Sequence, residues 1–148
     1  MNLHDRLRAG IITTHAAATQ ACATELAATL PDDCTLALHG NLGVGKTTFV
    51  QGLARGLGIN DSVTSPTFNI FTLYRGPRWT LLHLDAYRLE SPEQIEALMI
   101  EDFLVSPWCL AVEWPEKISA WIPANAFHLD FGITKDEAHT LQLRPSTS

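Results

Sequence analysis

The 148-residue chain lacks several things that would have pointed elsewhere. No continuous apolar run is long enough for a membrane helix, and the mean hydropathy of +0.05 fits a soluble globular protein. The Ala-rich stretch from His15 to Leu30 lacks the cleavage pattern of a signal peptide. Only three cysteines are present, Cys22, Cys34 and Cys109, with no Cys-x-x-Cys pair, so buried thiols in a reducing cytoplasm are the expectation. No two of the six histidines have zinc-ligand spacing. Basic residues are scarce, 10 Lys and Arg against 16 Asp and Glu. The resulting net charge of −6 argues against direct wrapping of nucleic acid. There is no internal repeat, no low-complexity linker and no Asn-Lys-x-Asp base-reading motif. What remains is one domain over residues 1–148 with one core.

Against that background one segment stands out. Gly40, Asn41, Leu42, Gly43, Val44, Gly45, Lys46 and Thr47 spell a complete Walker A phosphate loop, Gly-x-x-x-x-Gly-Lys-Thr. Its context is also right. The apolar run Cys34 to His39 precedes it as a buried strand. Phe49, Val50, Leu53 and Leu57 follow at helical spacing until Gly58. The glycines let the main chain curl around an anion, where a side chain would obstruct. Lys46 supplies an ammonium that can follow the β- and γ-phosphates, and Thr47 a hydroxyl for Mg²⁺. The helix N-terminus adds partial positive charge.

Around this loop the periodicities predict an α/β domain, P-loop NTPase-like, with a mixed parallel and antiparallel sheet flanked by helices. An amphipathic surface helix is expected from Thr13 or Thr14, as its cap, to Pro31. Thr67–Tyr74 and Arg78–Asp85 form a hairpin about Gly76-Pro77. A helix is capped by Ser91, opens on Pro92 and buries Ile95, Leu98 and Met99. Trp108–Glu113 is a strand, and Phe127–Phe131 with Thr140–Leu143 a terminal hairpin. Of the histidines, His39, His83 and His128 fall in strand patterns, while His4, His15 and His139 read as solvated. Trp79, Trp108 and Trp121 read as packing residues.

Hydrolysis also needs carboxylates near the metal, and two apolar strands end on one: Asp85 and Glu113. Parallel strands deliver their carboxyl ends to the edge where the phosphate loop lies, so either acid could hold Mg²⁺ and the other position the attacking water. Thr64-Ser65-Pro66-Thr67 lies where a γ-phosphate-sensing loop would be.

Four segments in order, Gly40–Phe49, Thr64-Ser-Pro-Thr-Phe68, His83-Leu-Asp-Ala-Tyr-Arg88 and Glu113-Trp-Pro115, resemble the bacterial TsaE family, the small ATPase of tRNA threonylcarbamoyladenosine biosynthesis. The likeness runs from about Thr19 to Pro115. It implies that Lys46 and Thr48 bind phosphate, that Thr47 and Glu113 hold Mg²⁺, and that Asp85 is needed for hydrolysis. Thr19 would lie beside the nucleotide, Ser65, Pro66 and Thr67 would form a switch segment, and Trp114 would sit close to bound ATP. It further implies docking on, and resetting of, a threonylcarbamoyl-transferase heterodimer of the TsaB–TsaD type, with tRNA (modified at adenosine 37) engaged through the complex. One departure is Asn41, where the family usually has aspartate; asparagine can still donate a hydrogen bond. A non-catalytic nucleotide-dependent binding module and a small-molecule kinase are the competing readings. The chain is short of the acceptor pocket and arginine-rich lid that a kinase needs.

Overall fold

The computed structural model describes residues 2–41, 45–66 and 70–145. Its centre is a seven-stranded mixed sheet: β1 (Ile11–Thr13), β2 (Cys34–His39), β3 (Phe71–Arg75), β4 (Thr80–Asp85), β5 (Trp108–Glu113), β6 (Phe127–Ile133) and β7 (His139–Leu143), in the order β1-β7-β6-β2-β5-β4-β3. β2 sits in the middle, parallel to both β5 and β6, and β4 runs parallel to β5. The antiparallel partners are at the rims, β3 on β4, and β7 on β6 followed by β1. The parallel strands read as continuous apolar runs because helices cover both of their faces.

Alternation decides which side chain faces which helix. Leu36 and Leu38 of β2, Leu81 of β4, and Cys109 and Ala111 of β5 share one core with α2 (Ala16–Ala27) and α3 (Lys46–Gly56). Leu82, Leu84, Leu110 and Val112 point the other way. They pack on α4 (Pro92–Ala97) and the 3₁₀ segments Ile100–Phe103 and Pro115–Trp121. α2 and α3 meet closely. A Cβ at Gly52 would lie 2.2 Å from the Gln20 carbonyl oxygen, and Thr24 Oγ1 donates to the Gly52 carbonyl at 2.7 Å. No side chain larger than hydrogen fits at Gly52 without separating the helices.

Several local expectations change. A helix α1 (Leu3–Ala9), capped by Asn2 and anchored by Leu3 and Leu7, precedes the first expected one. Thr13 belongs to β1, and α2 is capped instead by His15, whose Nδ1 accepts from the Ala18 N–H at 3.2 Å. His4 is half-buried rather than solvated, its Nε2 lying 2.9 Å from Thr29 Oγ1. α4 stops at Ala97, and Met99 adopts the left-handed conformation and is 58% exposed, so it is no part of the apolar face. Ser91 stands at the cap position without bonding there; Gln94 Oε1 accepts from the Glu90 N–H instead. Residues 67–69 of the expected β3 lie outside the described residues. Among the described residues no helix is long and apolar enough to cross a membrane.

Candidate functional site

The site forms where β2, β4 and β5 end beside the start of α3. Gly45 is the residue that turns strand into helix: at φ 95° and ψ 15° it is left-handed, a conformation costly for any residue with a Cβ. The first-turn N–H groups of α3 have no acceptor within the helix, and the first turn carries no acidic residue to satisfy them. Together they present a cluster of donors at the positive end of the helix dipole.

Beside them lies a cleft of about 420 Å³, lined by Gly45, Lys46, Thr47, Thr48, Thr19, Ser65, Asp85 and Glu113, together with Thr14, His15, Ala16, Glu137 and His139. Lys46 is only 4% exposed. Its Nζ donates to the Gly40 carbonyl at 2.5 Å and stands 4.2 Å from the centre of the Trp114 ring. Burial lowers its pKa; the negative charges of Glu113, Asp85 and Glu116 act in the opposite direction.

The two strand-end carboxylates are in register, Asp85 opposite Glu113. Glu113 is 5% exposed, and its Oε2 accepts from Thr47 Oγ1 at 3.4 Å and lies 2.5 Å from His83 Nε2. Asp85 is half-buried, and its Oδ1 accepts from the Tyr87 N–H at 3.0 Å. The strand ends are locked together through main chain, Ala86 N–H donating to the Glu113 carbonyl at 3.0 Å.

The donor set suits a triphosphate with Mg²⁺. Among the described residues no three His, Cys, Asp or Glu side chains converge on a common point. The oxygens that could hold a cation here are the Thr47 hydroxyl and the strand-end carboxylates of Glu113 and Asp85. Mg²⁺ ordinarily takes few protein oxygens and fills its octahedron with phosphate and water.

Of the residues singled out from sequence, Lys46, Thr47, Thr48, Gly45, Thr19, Ser65, Asp85 and Glu113 come together in this cleft. Thr19 is 2% exposed, and its hydroxyl pairs with Thr13 Oγ1 at 2.6 Å. Trp114 reaches the cleft only through Lys46; its backbone is left-handed at φ 59°, and its ring packs 5.0 Å from Tyr87. Gly40 contributes its carbonyl to Lys46, and Asn41 is exposed and does not line the cleft. Leu42, Gly43, Val44 and Thr67 lie outside the described residues. Arg88 is exposed and away from the cleft.

Sequence reading missed several members. His15 and His139, taken as solvated, both line the cleft. A Cβ at Gly45 would sit 3.4 Å from His139 Nδ1. Glu137, in the turn between β6 and β7, joins them. No sequence signal marks these residues, since the hairpin meets Gly45 only in three dimensions. His83 was placed in a strand without its link to Glu113.

Comparison with known proteins settles the kinship. The family described as "Threonylcarbamoyl adenosine biosynthesis protein TsaE" matches residues 13–142. The chain belongs to the TsaE family. The tRNA threonylcarbamoyladenosine biosynthesis protein TsaE of Treponema pallidum is 36% identical over 107 residues, 72% of this chain and 78% of that one. Its counterpart in Rickettsia bellii is 38% identical over 116 residues, covering 78% and 80%. The crystal structure of Bacillus subtilis YdiB superposes with a TM-score of 0.76 at 30% identity, over 93% of this chain and 85% of that one. The match confirms the mixed sheet with flanking helices and assigns the family to the tRNA threonylcarbamoyladenosine pathway.

Proposed function

We propose that the chain, as one P-loop domain, binds ATP with Mg²⁺ in this cleft and hydrolyses it in the service of tRNA threonylcarbamoyladenosine biosynthesis. One observation carries the reading. Thr47 and Glu113, 66 residues apart in sequence, bring hydroxyl and carboxylate within 3.4 Å of each other beside a buried lysine and the open amides of a helix start.

Each residue has a task that its position supports. The main chain around Gly45 and the first turn of α3 binds phosphate oxygens, with Lys46 and the Thr48 hydroxyl on the β- and γ-phosphates. Thr47 and Glu113 hold the cation, which when bound offsets charge on the phosphoryl oxygens. Asp85, beside Glu113 but turned to a wetter environment, accepts hydrogen bonds from water and orders it for attack. Thr19 and Ser65, both in the cleft lining, border the nucleotide, and Trp114 steers Lys46 through its ring face. Asn41, exposed and outside the cleft lining, has no task that its position supports.

Among the described residues no arginine lines the cleft. The charge that builds on the transferring phosphoryl group therefore lacks a guanidinium in cis. A slow basal rate follows, with a partner supplying what is missing. A threonylcarbamoyl-transferase heterodimer of the TsaB–TsaD type is that partner in this reading, and tRNA is engaged only through the assembly. The acidic surface agrees with protein rather than direct RNA contact. A cytoplasmic setting suits three buried free thiols, Cys22, Cys34 and Cys109.

The test is calorimetry with ATP, with and without Mg²⁺, followed by turnover with and without the heterodimer. Binding heat, slow turnover alone and faster turnover in the complex are expected. No heat on adding ATP would overturn nucleotide binding, and equal turnover in both conditions would overturn the partner's role.

A further inference from the structure

We propose that His83 is the positioning residue of the cation site, its Nε2–H fixing the Glu113 carboxylate against Thr47. The inference rests on the ATP–Mg²⁺ reading of the cleft and adds to it a residue outside the cleft lining.

His83 has no exposed surface, and its Nε2 lies 2.5 Å from Glu113 Oε2. A buried carboxylate needs donors, and Oε2 has two here: the distant Thr47 hydroxyl at 3.4 Å and this much closer ring nitrogen. The other ring nitrogen decides where the proton sits. His83 Nδ1 is buried and has no hydrogen-bond partner among the described residues. Were the proton on Nδ1, a buried N–H would be orphaned while the Nε2 lone pair pressed on a carboxylate oxygen. With the proton on Nε2, the close contact is a hydrogen bond and only a lone pair goes unused.

The sheet explains why this contact forms. His83 precedes Asp85 by two on β4 and therefore points to the same face, beneath α3. Directly opposite it on β5 is Ala111, a single methyl, and Glu113 stands on the diagonal within reach of a ring. One strand thus delivers both the acid that orders water and the donor that orients its neighbour's acid. Groups that orient a ligating carboxylate typically change metal affinity about 10–100-fold when removed.

Three measurements test this on the full chain: ATP affinity without metal, Mg²⁺ affinity of the ATP-bound protein, and the ¹⁵N spectrum of the histidine rings. His83→Leu is expected to lower Mg²⁺ affinity about tenfold or more, with the loss confined to the metal-dependent part. His83→Gln, whose side-chain amide extends a donor to the same place, is expected to recover most of it. The unsubstituted chain should carry the His83 proton on Nε2. Unchanged Mg²⁺ affinity in His83→Leu overturns the proposal, and so does a proton found on Nδ1 alone. If His83→Leu fails to fold, the ring spectrum and His83→Gln decide: Nε2–H and near-normal Mg²⁺ affinity support it, Nδ1–H overturns it. Failure of the unsubstituted chain to take up ATP would remove the nucleotide reading instead, with the ring spectrum still judging the His83–Glu113 contact by itself.

Discussion

The carboxyl end of β2 has a polar network on each flank, and the two are built to different ends. Toward β5 and β4, Glu113 and His83 are buried, and the charge of Glu113 is answered by two hydrogen bonds and by the positive charge of Lys46 in the same cleft. Toward β6, His39 Nε2 meets His128 Nδ1 at 2.8 Å, and Arg144 grips Asp130 with two bonds of 2.8 and 2.9 Å. Glu116 stands 3.6 Å from His39. The second flank closes its charges on itself at a half-exposed surface. The first keeps a carboxylate aimed at a cavity. A network satisfied internally stabilises a fold, whereas one that leaves a buried acid facing open space is arranged for something that arrives.

The largest effect should come from Glu113→Ala. Mg²⁺-dependent ATP binding and hydrolysis should be lost. Stability should fall by about 1–3 kcal/mol as half-buried Thr47 and fully buried His83 lose their acceptor, read by denaturant unfolding. Asp85→Ala should sharpen the contrast. Its half-buried carboxylate accepts from the N–H of Tyr87 in its own turn, so stability should change by less than about 1.5 kcal/mol. ATP affinity should stay close to normal while turnover drops about 10²-fold or more. If Asp85→Ala weakens Mg²⁺ binding as much as Glu113→Ala does, the division of labour between the two acids is wrong. The roles would then be shared or reversed.

Much of the first flank was legible in advance because its signals are local. The loop from Gly40 to Thr47, the strand before it and the helix after it follow one another in sequence. Asp85 and Glu113 each end an apolar run, and parallel strands bring such ends to one edge. The second flank and the remainder of the cleft were not legible, for a common reason. His83 acquires its meaning from the β4–β5 register, and His39 and His128 theirs from β2–β6. His139 acquires its own from the fold-back of the terminal hairpin over Gly45. Such contacts depend on pairing that no window of a single strand encodes. Met99 failed for a different reason: the helical pattern continued past Ala97, but the backbone turned left-handed and carried the side chain outward.

The smallest effect should appear on the β6 flank as pH falls. Burial lowers the pKa of His39, with further lowering from the charges of Arg144 and His128; Asp130 and Glu116 oppose it. His128 is lowered by burial and then Arg144, against Asp130. A base with a lower pKa folded than unfolded takes up more protons when unfolded, so stability rises with pH across the gap. The contribution is fully present above the ordinary histidine value of 6.5 and is lost as pH drops toward the folded values. The melting temperature should therefore decline between pH 7 and 5.5, and less so in a His39→Asn, His128→Asn double variant. Asp130 acts in the same sense at lower pH: Arg144 holds its pKa down, so its contribution disappears as pH falls through the folded carboxylate range. An equal decline in the double variant would assign the acid sensitivity to carboxylates and remove the histidine pair from the account of what stabilises that flank.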